Sequence, residues 1–232
     1  MANIVEVTGL TKDYGEGGVA THALRGVDLV LNSGEFASMA GPSGSGKTTL
    51  LNIIGALDRP TSGSVKIEGT EITALSGNQL SLLRRDRIGF IFQNYNLIPV
   101  LTALENAEYV LMLQNFSKEK RRERVMMVLK EVGLEGLEHR FPRELSGGQQ
   151  QRVAIARAIA SEPALILADE PTANVDSETG HSIMELMRRL NKEKGITFLF
   201  STHDHSVMKQ GRRLIVLRDG IIMDDSAREA QA

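Results

Sequence analysis

The sequence predicts an α/β fold built around a mostly parallel sheet, and a few patterns carry the prediction. Uninterrupted apolar runs at Leu165 to Ala168, Thr197 to Phe200 and Leu214 to Leu217 read as strands buried on both faces. Helical patterns separate them, as strand–helix–strand crossovers require. A glycine-rich turn, Gly41 to Thr48, sits between a strand and a helix.

The elements follow in chain order. Ile4 to Val7 and His22 to Leu31 read as antiparallel strands joined by the turn Gly15-Glu16-Gly17-Gly18. Glu35 to Ala40 is a strand that runs into the glycine-rich turn. Thr49 to Ala56 follows as a helix and closes at Asp58 to Gly63. Further strands are expected at Ser64 to Glu68 and Ile88 to Phe92. The middle of the chain then turns helical. Ser117 is an N-cap, Val125, Val128, Leu129 and Val132 share one stripe, and Gly133 is the stop. Lys118 to Arg124 read as the solvated face of that helix, and Arg84, Arg85 and Arg87 as a solvated, ion-paired patch, with an approach to a membrane partner or anionic lipid as the alternative. Ser177 to Lys194 is a helix with Ile183, Leu186 and Leu190 inward and Gly195 at its end. No internal repeat or long linker is visible. The expectation is one domain over 1–232, with a core of about 1–92 and 163–232 and a helical lobe inserted at about 93–162.

Composition narrows the function classes. Hydrophobic residues make up 41% and charged residues 24%, ordinary values for a globular protein. A net charge of -2 supplies no global basic field, so nucleic acid is not an expected partner. With no cysteine, disulfides, thiolate nucleophiles and Cys-based zinc sites are excluded, which fits a reducing cytosol. The apolar runs are far shorter than the roughly 18 residues of a spanning helix. Met1 to Glu6 has none of the charge and apolar regions of a signal peptide.

Gly41-Pro42-Ser43-Gly44-Ser45-Gly46-Lys47-Thr48 matches G-x-x-x-x-G-K-[ST], followed by Thr49. Glycines let backbone N–H groups converge on phosphate oxygens, and the helix N-terminus adds partial positive charge. Lys47 would reach the terminal phosphates, and the Thr48 hydroxyl would ligate Mg²⁺. No Asn-Lys-x-Asp guanine-reading motif is present, which favours ATP. Leu165-Ile166-Leu167-Ala168-Asp169-Glu170 is an apolar strand that ends in two carboxylates. Neighbouring strand residues face opposite ways, so the two acids are expected to divide the work. Asp169 suits the magnesium shell, and Glu170 suits the base that accepts a proton from the attacking water.

Leu145-Ser146-Gly147-Gly148-Gln149 resembles the signature motif of the ATP-binding cassette (ABC) family. Its chance odds are on the order of one in a few thousand. Ser146, Gly147, Gly148 and Gln149 open a helix whose free N–H groups suit an anion, which makes a second phosphate cradle. Other family elements follow in order. Tyr14 resembles the aromatic that stacks on adenine, and Gln93 resembles the glutamine that contacts the magnesium site. Ala173-Asn174-Val175-Asp176 resembles the loop that crosses between subunits, with Asp176 toward the nucleotide. His203 resembles the switch histidine at the terminal phosphate. His22, His139, His181 and His205 carry no such context.

The resemblance implies a P-loop NTPase (RecA-like) core with an N-terminal antiparallel β subdomain and an inserted α-helical subdomain. It also implies ATP and Mg²⁺ as ligands and a head-to-tail dimer, homomeric or with a similar subunit. Each ATP would then lie between one subunit's phosphate loop and the other's signature motif. An integral membrane permease would hold the protein at the cytoplasmic face of the membrane. Gly55 to Gly63, Leu82 to Pro99 and Leu101 to Asn106 resemble the macrolide-export, lipoprotein-release and cell-division branch, with Val175 where that branch has leucine. Soluble ABC ATPases of repair or translation usually carry long coiled coils or two cassettes, and this chain has neither. A sensor without hydrolysis would not need Lys47, Asp169, Glu170 and His203 together.

Overall fold

The computed structural model describes residues 2–15 and 21–227. The expected turn at Gly15 to Gly18 therefore lies outside the described residues, apart from Gly15. The strands are β1 (Asn3–Tyr14), β2 (Thr21–Asn32), β3 (Phe36–Ala40), β4 (Ser62–Ile67), β5 (Thr70–Glu71), β6 (Ile88–Ile91), β7 (Leu165–Asp169), β8 (Thr197–Thr202), β9 (Arg213–Arg218) and β10 (Ile221–Ala227). The helices are α1 (Lys47–Ile54), α2 (Gly77–Arg87), α3 (Ala103–Leu113), α4 (Lys118–Glu131), α5 (Gly147–Ala160), α6 (Ser177–Lys194) and α7 (His205–Met208).

Two sheets form. An antiparallel sheet runs β2-β1-β4-β5, and a larger one runs β10-β9-β3-β8-β7-β6. Within the second, β9, β3, β8, β7 and β6 are parallel, and β10 is antiparallel to β9. Strand periodicity then divides the interior in two. Leu165, Leu167 and Leu199 face the side that packs on the antiparallel sheet and α1. Ile166, Ala168, Phe198 and Phe200 face the other side, where they share one apolar cluster with α3, α4, α5 and α6. Phe36 joins that second cluster, its ring 5.5 Å from Phe198 and 5.0 Å from Phe200.

Several expectations shift. Strand β1 is far longer than Ile4 to Val7, because bulges around Gly9 let it bend and continue to Tyr14. Helix α1 begins at Lys47 and ends at Ile54 instead of spanning Thr49 to Ala56. Gly46, at φ 103°, caps its start, and Ala56, at φ 57°, has already left it. Ser117 caps α4 as expected, and α6 runs from Ser177 to Lys194 with Gly195 in the left-handed conformation behind it. Helix α2 has no counterpart among the expected elements, and α3 lies in the expected helical middle without bounds of its own. Both open with a reciprocal cap, Ser76 with Gln79 and Thr102 with Glu105. Among the described residues no helix is long and apolar enough to cross a membrane.

Candidate active site

Strand β3 is buried along its whole length and delivers the chain into residues 41–46 at one end of the parallel sheet. Two glycines there are dictated by space. A Cβ on Gly41 would lie 2.0 Å from the Leu217 carbonyl oxygen, and one on Gly46 would lie 2.5 Å from that of Ala23. Lys47 is buried, and its ammonium donates to the carbonyls of Gly41 and Pro42 at 2.7 and 3.0 Å. The Ser45 hydroxyl is buried beside it without a hydrogen-bond partner among the described residues.

An open cavity of about 510 Å³ lies over this loop. Residues 43–49 line it, together with Thr21, His22 and Ala23 of β2, Gln93, Asp169, Glu170 and His203. The adjacent strands β7 and β8 bring the last of these together. Thr48 Oγ1 donates to Asp169 Oδ2 at 2.9 Å, and Ser201 Oγ donates to Asp169 Oδ1 at 2.5 Å. Glu170 Oε1 is 2.9 Å from Nδ1 of His203. The two acids do not simply alternate along a strand. Asp169 ends β7, and Glu170 lies beyond it at φ 49°, so both carboxylates reach the same cavity.

The remaining candidates lie outside that cavity. Gly41 and Pro42 act through their carbonyls on Lys47 and do not line it. Tyr14 ends β1 and is 42% exposed. Its hydroxyl donates to Asp58 Oδ2 at 2.7 Å, and the Lys12 ammonium sits 4.7 Å from its ring centroid. Burial, followed by the hydrogen bond to Asp58, raises the Tyr14 phenol above its ordinary pKa. Burial pushes the Asp58 carboxyl upward, but hydrogen bonds from Lys12 and Tyr14 outweigh it and the net shift is down.

Ser146 caps α5 in a reciprocal pair with Gln149, and neither these two nor Gly147 and Gly148 touch the cavity. Asp176 caps α6 and takes the Thr179 N–H at 2.9 Å and its hydroxyl at 2.6 Å, so it too points away. The loop after β6 nevertheless meets these elements. Asn174 donates to the Gln93 carbonyl at 2.9 Å, and the Tyr95 hydroxyl donates to the Asn174 carbonyl at 3.0 Å. Sequence reasoning missed His22, whose ring lines the cavity with Nδ1 2.7 Å from Asp13. It missed Ser201 as well. No local pattern marks either one.

The residues present fit a magnesium–nucleotide. A buried ammonium, an unpartnered buried hydroxyl and the Thr48–Asp169 pair converge on one cavity. Mg²⁺ keeps most of its shell as water and substrate phosphate, so a sparse protein donor set suits it.

The family model described as ABC transporter matches residues 24–173. An uncharacterized ABC transporter ATP-binding protein of Methanocaldococcus jannaschii, MJ0796, is 50% identical over 224 residues, covering 94% of each chain. The lipoprotein-releasing system ATP-binding protein LolD of Anaeromyxobacter dehalogenans is 46% identical over 95% of this chain and 93% of its own. The macrolide export ATP-binding/permease protein MacB of Mannheimia succiniciproducens is 46% identical over 97% of this chain, which spans 35% of that longer protein. Among solved structures, the dimeric post-hydrolysis state of the MJ0796 cassette bound to ADP and Pi superposes with a TM-score of 0.91 at 47% identity. That match covers 97% of this chain and 99% of the other.

Proposed function

Since the chain belongs to the ABC transporter family, we propose that it hydrolyses ATP and drives a separate membrane permease, in lipoprotein release or macrolide-type export. Residues 43–49 would wrap the phosphates, with backbone N–H groups and the α1 N-terminus directed at the negative charge. Lys47 would exchange its carbonyl partners for the terminal phosphates. Thr48 and Asp169, with Gln93 nearby, would hold Mg²⁺, which when bound neutralises charge on the phosphate oxygens. Glu170 would accept the proton of the attacking water, and His203, hydrogen-bonded to that carboxylate, would orient it and meet the departing phosphate. The Tyr14 ring, held at its hydroxyl by Asp58, would stack on adenine.

One observation carries this reading. Loop, lysine and both carboxylates share a cavity in one chain, while the helix start at Ser146 to Gln149 lies outside it. A second subunit would bring that helix start, and Asp176, over the nucleotide. The dimeric MJ0796 cassette supports such an assembly. We assign residues 93–162 to the lobe that carries this helix start. A groove of about 390 Å³, with Leu57, Phe90, Tyr109 and Leu113 beside Arg84 and Arg85, would receive the permease at the cytoplasmic face.

The test is Glu170→Gln. It should reduce turnover by at least 100-fold and accumulate an ATP-dependent dimer by size-exclusion chromatography. Normal hydrolysis by a monomer would refute both the base and the shared site.

A further inference from the structure

We infer that Ser201 is a positioning residue that sets the orientation of both site carboxylates through one buried hydroxyl. The inference rests on the proposed roles of Asp169 and Glu170. In the parallel register of β7 and β8, Ser201 is the partner of Asp169. Its side chain is fully buried and is absent from the cavity wall, so it acts through its neighbours.

The hydroxyl uses both of its capacities. Its hydrogen goes to Asp169 Oδ1 at 2.5 Å, and a lone pair accepts the Glu170 N–H at 3.1 Å. The first bond is charge-assisted and stops the Asp169 carboxylate from rotating. With Oδ1 tied down, Oδ2 is the oxygen left to meet Thr48 at 2.9 Å. The second bond holds Glu170 at φ 49°, a conformation that residues with side chains rarely adopt. From there Glu170 Oε1 reaches His203 at 2.9 Å. One oxygen atom therefore spaces the metal-side acid from the water-side acid. Groups that orient metal ligands in this way typically change metal affinity or activity by about 10–100-fold when removed.

The experiment compares Ser201→Ala, Ser201→Cys and Ser201→Thr with the unmodified protein and with Glu170→Gln. Steady-state hydrolysis is read as kcat and KM. Mn²⁺ affinity of the ADP-bound protein is read by electron paramagnetic resonance, which requires no turnover. Ser201→Ala should lower kcat about 10–100-fold and weaken Mn²⁺ about 10-fold, with KM for ATP changed by less than about threefold. Ser201→Thr keeps the hydroxyl and should restore both readouts to within about threefold. Should the alanine variant fail to fold, Ser201→Cys fills nearly the same space with a poor hydrogen-bonding sulfur and should give the same losses. A folded alanine or cysteine variant with kcat and Mn²⁺ affinity both within about threefold of the unmodified protein would overturn the role. If Glu170→Gln hydrolyses normally, the base assignment fails, and the Mn²⁺ titration still judges Ser201 through Asp169. If Glu170→Gln is inactive while the Ser201 variants behave normally, the positioning role alone fails.

Discussion

Lys47 donates to two carbonyls of its own loop, so its charge is stored where phosphate oxygens would replace them. Lys47→Ala should abolish detectable ATP binding in a fluorescent-nucleotide titration without lowering the melting temperature appreciably. Tyr14 separates two roles of one residue. One face of its ring carries the Lys12 ammonium, the other would stack on adenine, and its hydroxyl is spent on Asp58. Base–aromatic stacking is worth about 1–3 kcal/mol, so Tyr14→Ala should weaken ATP binding roughly 5–100-fold, and Tyr14→Phe should change it little. Equal losses in the two variants would show that the hydroxyl anchor, not the stack, matters.

Helix α1 can approach the sheet only because Gly55 carries no side chain. A Cβ there would lie 2.3 Å from the Phe90 ring and 3.0 Å from Leu167. Gly55→Ala should therefore destabilise the protein by about 1–3 kcal/mol, read as a lower midpoint in urea. Helices α5 and α6 meet as tightly at their first turns, where a Cβ on Gly148 would fall 2.4 Å from Thr179. Gly148 thus has a packing reason to be glycine that is independent of phosphate binding. Ser146 and Asp176 cap these two turns through the N–H groups of Gln149 and Thr179.

For the whole molecule, the proposed function makes each chain the owner of two half-sites that a second subunit would join. Specific ATPase activity should therefore rise with protein concentration in the dilute range, and a flat dependence would argue for a complete site in each monomer. Charge also acts at this scale. A hydrogen bond from Arg85 lowers the pKa of Asp86, one from Ser206 lowers that of Asp204, and the Lys12–Tyr14 pair lowers that of Asp58. Their folded pKa values sit below the unfolded ones, so the stability they confer is complete above the unfolded values. It is lost as pH falls through the folded ones. Thermal stability should accordingly be flat near neutrality and drop below about pH 4.

What could be read from the chain alone was whatever repeats or caps over a few residues. The loop at Gly41 to Thr48, the buried runs of β7 and β8, the N-cap at Ser117 and the helix ending at Gly195 are all local chemistry. The reciprocal caps at Ser76 and Thr102 were equally local and would have located α2 and α3. Strand β1 was underestimated because pairing with β2 and β4, not its own composition, carries it past Gly9 to Tyr14. Residue type at short spacing is enough to mark the phosphate-loop motif, the Asp169-Glu170 pair and the α/β class. That Asp169 stands beside Thr48, that Ser201 lies between Asp169 and Glu170, and that His22 borders the cavity follows from the packing of distant segments. For the Asp169–Ser201 pair, strand register accounts for it. Residues 32 positions apart become neighbours only when β7 and β8 align, and a shift by one residue would turn Ser201 to the opposite face of the sheet.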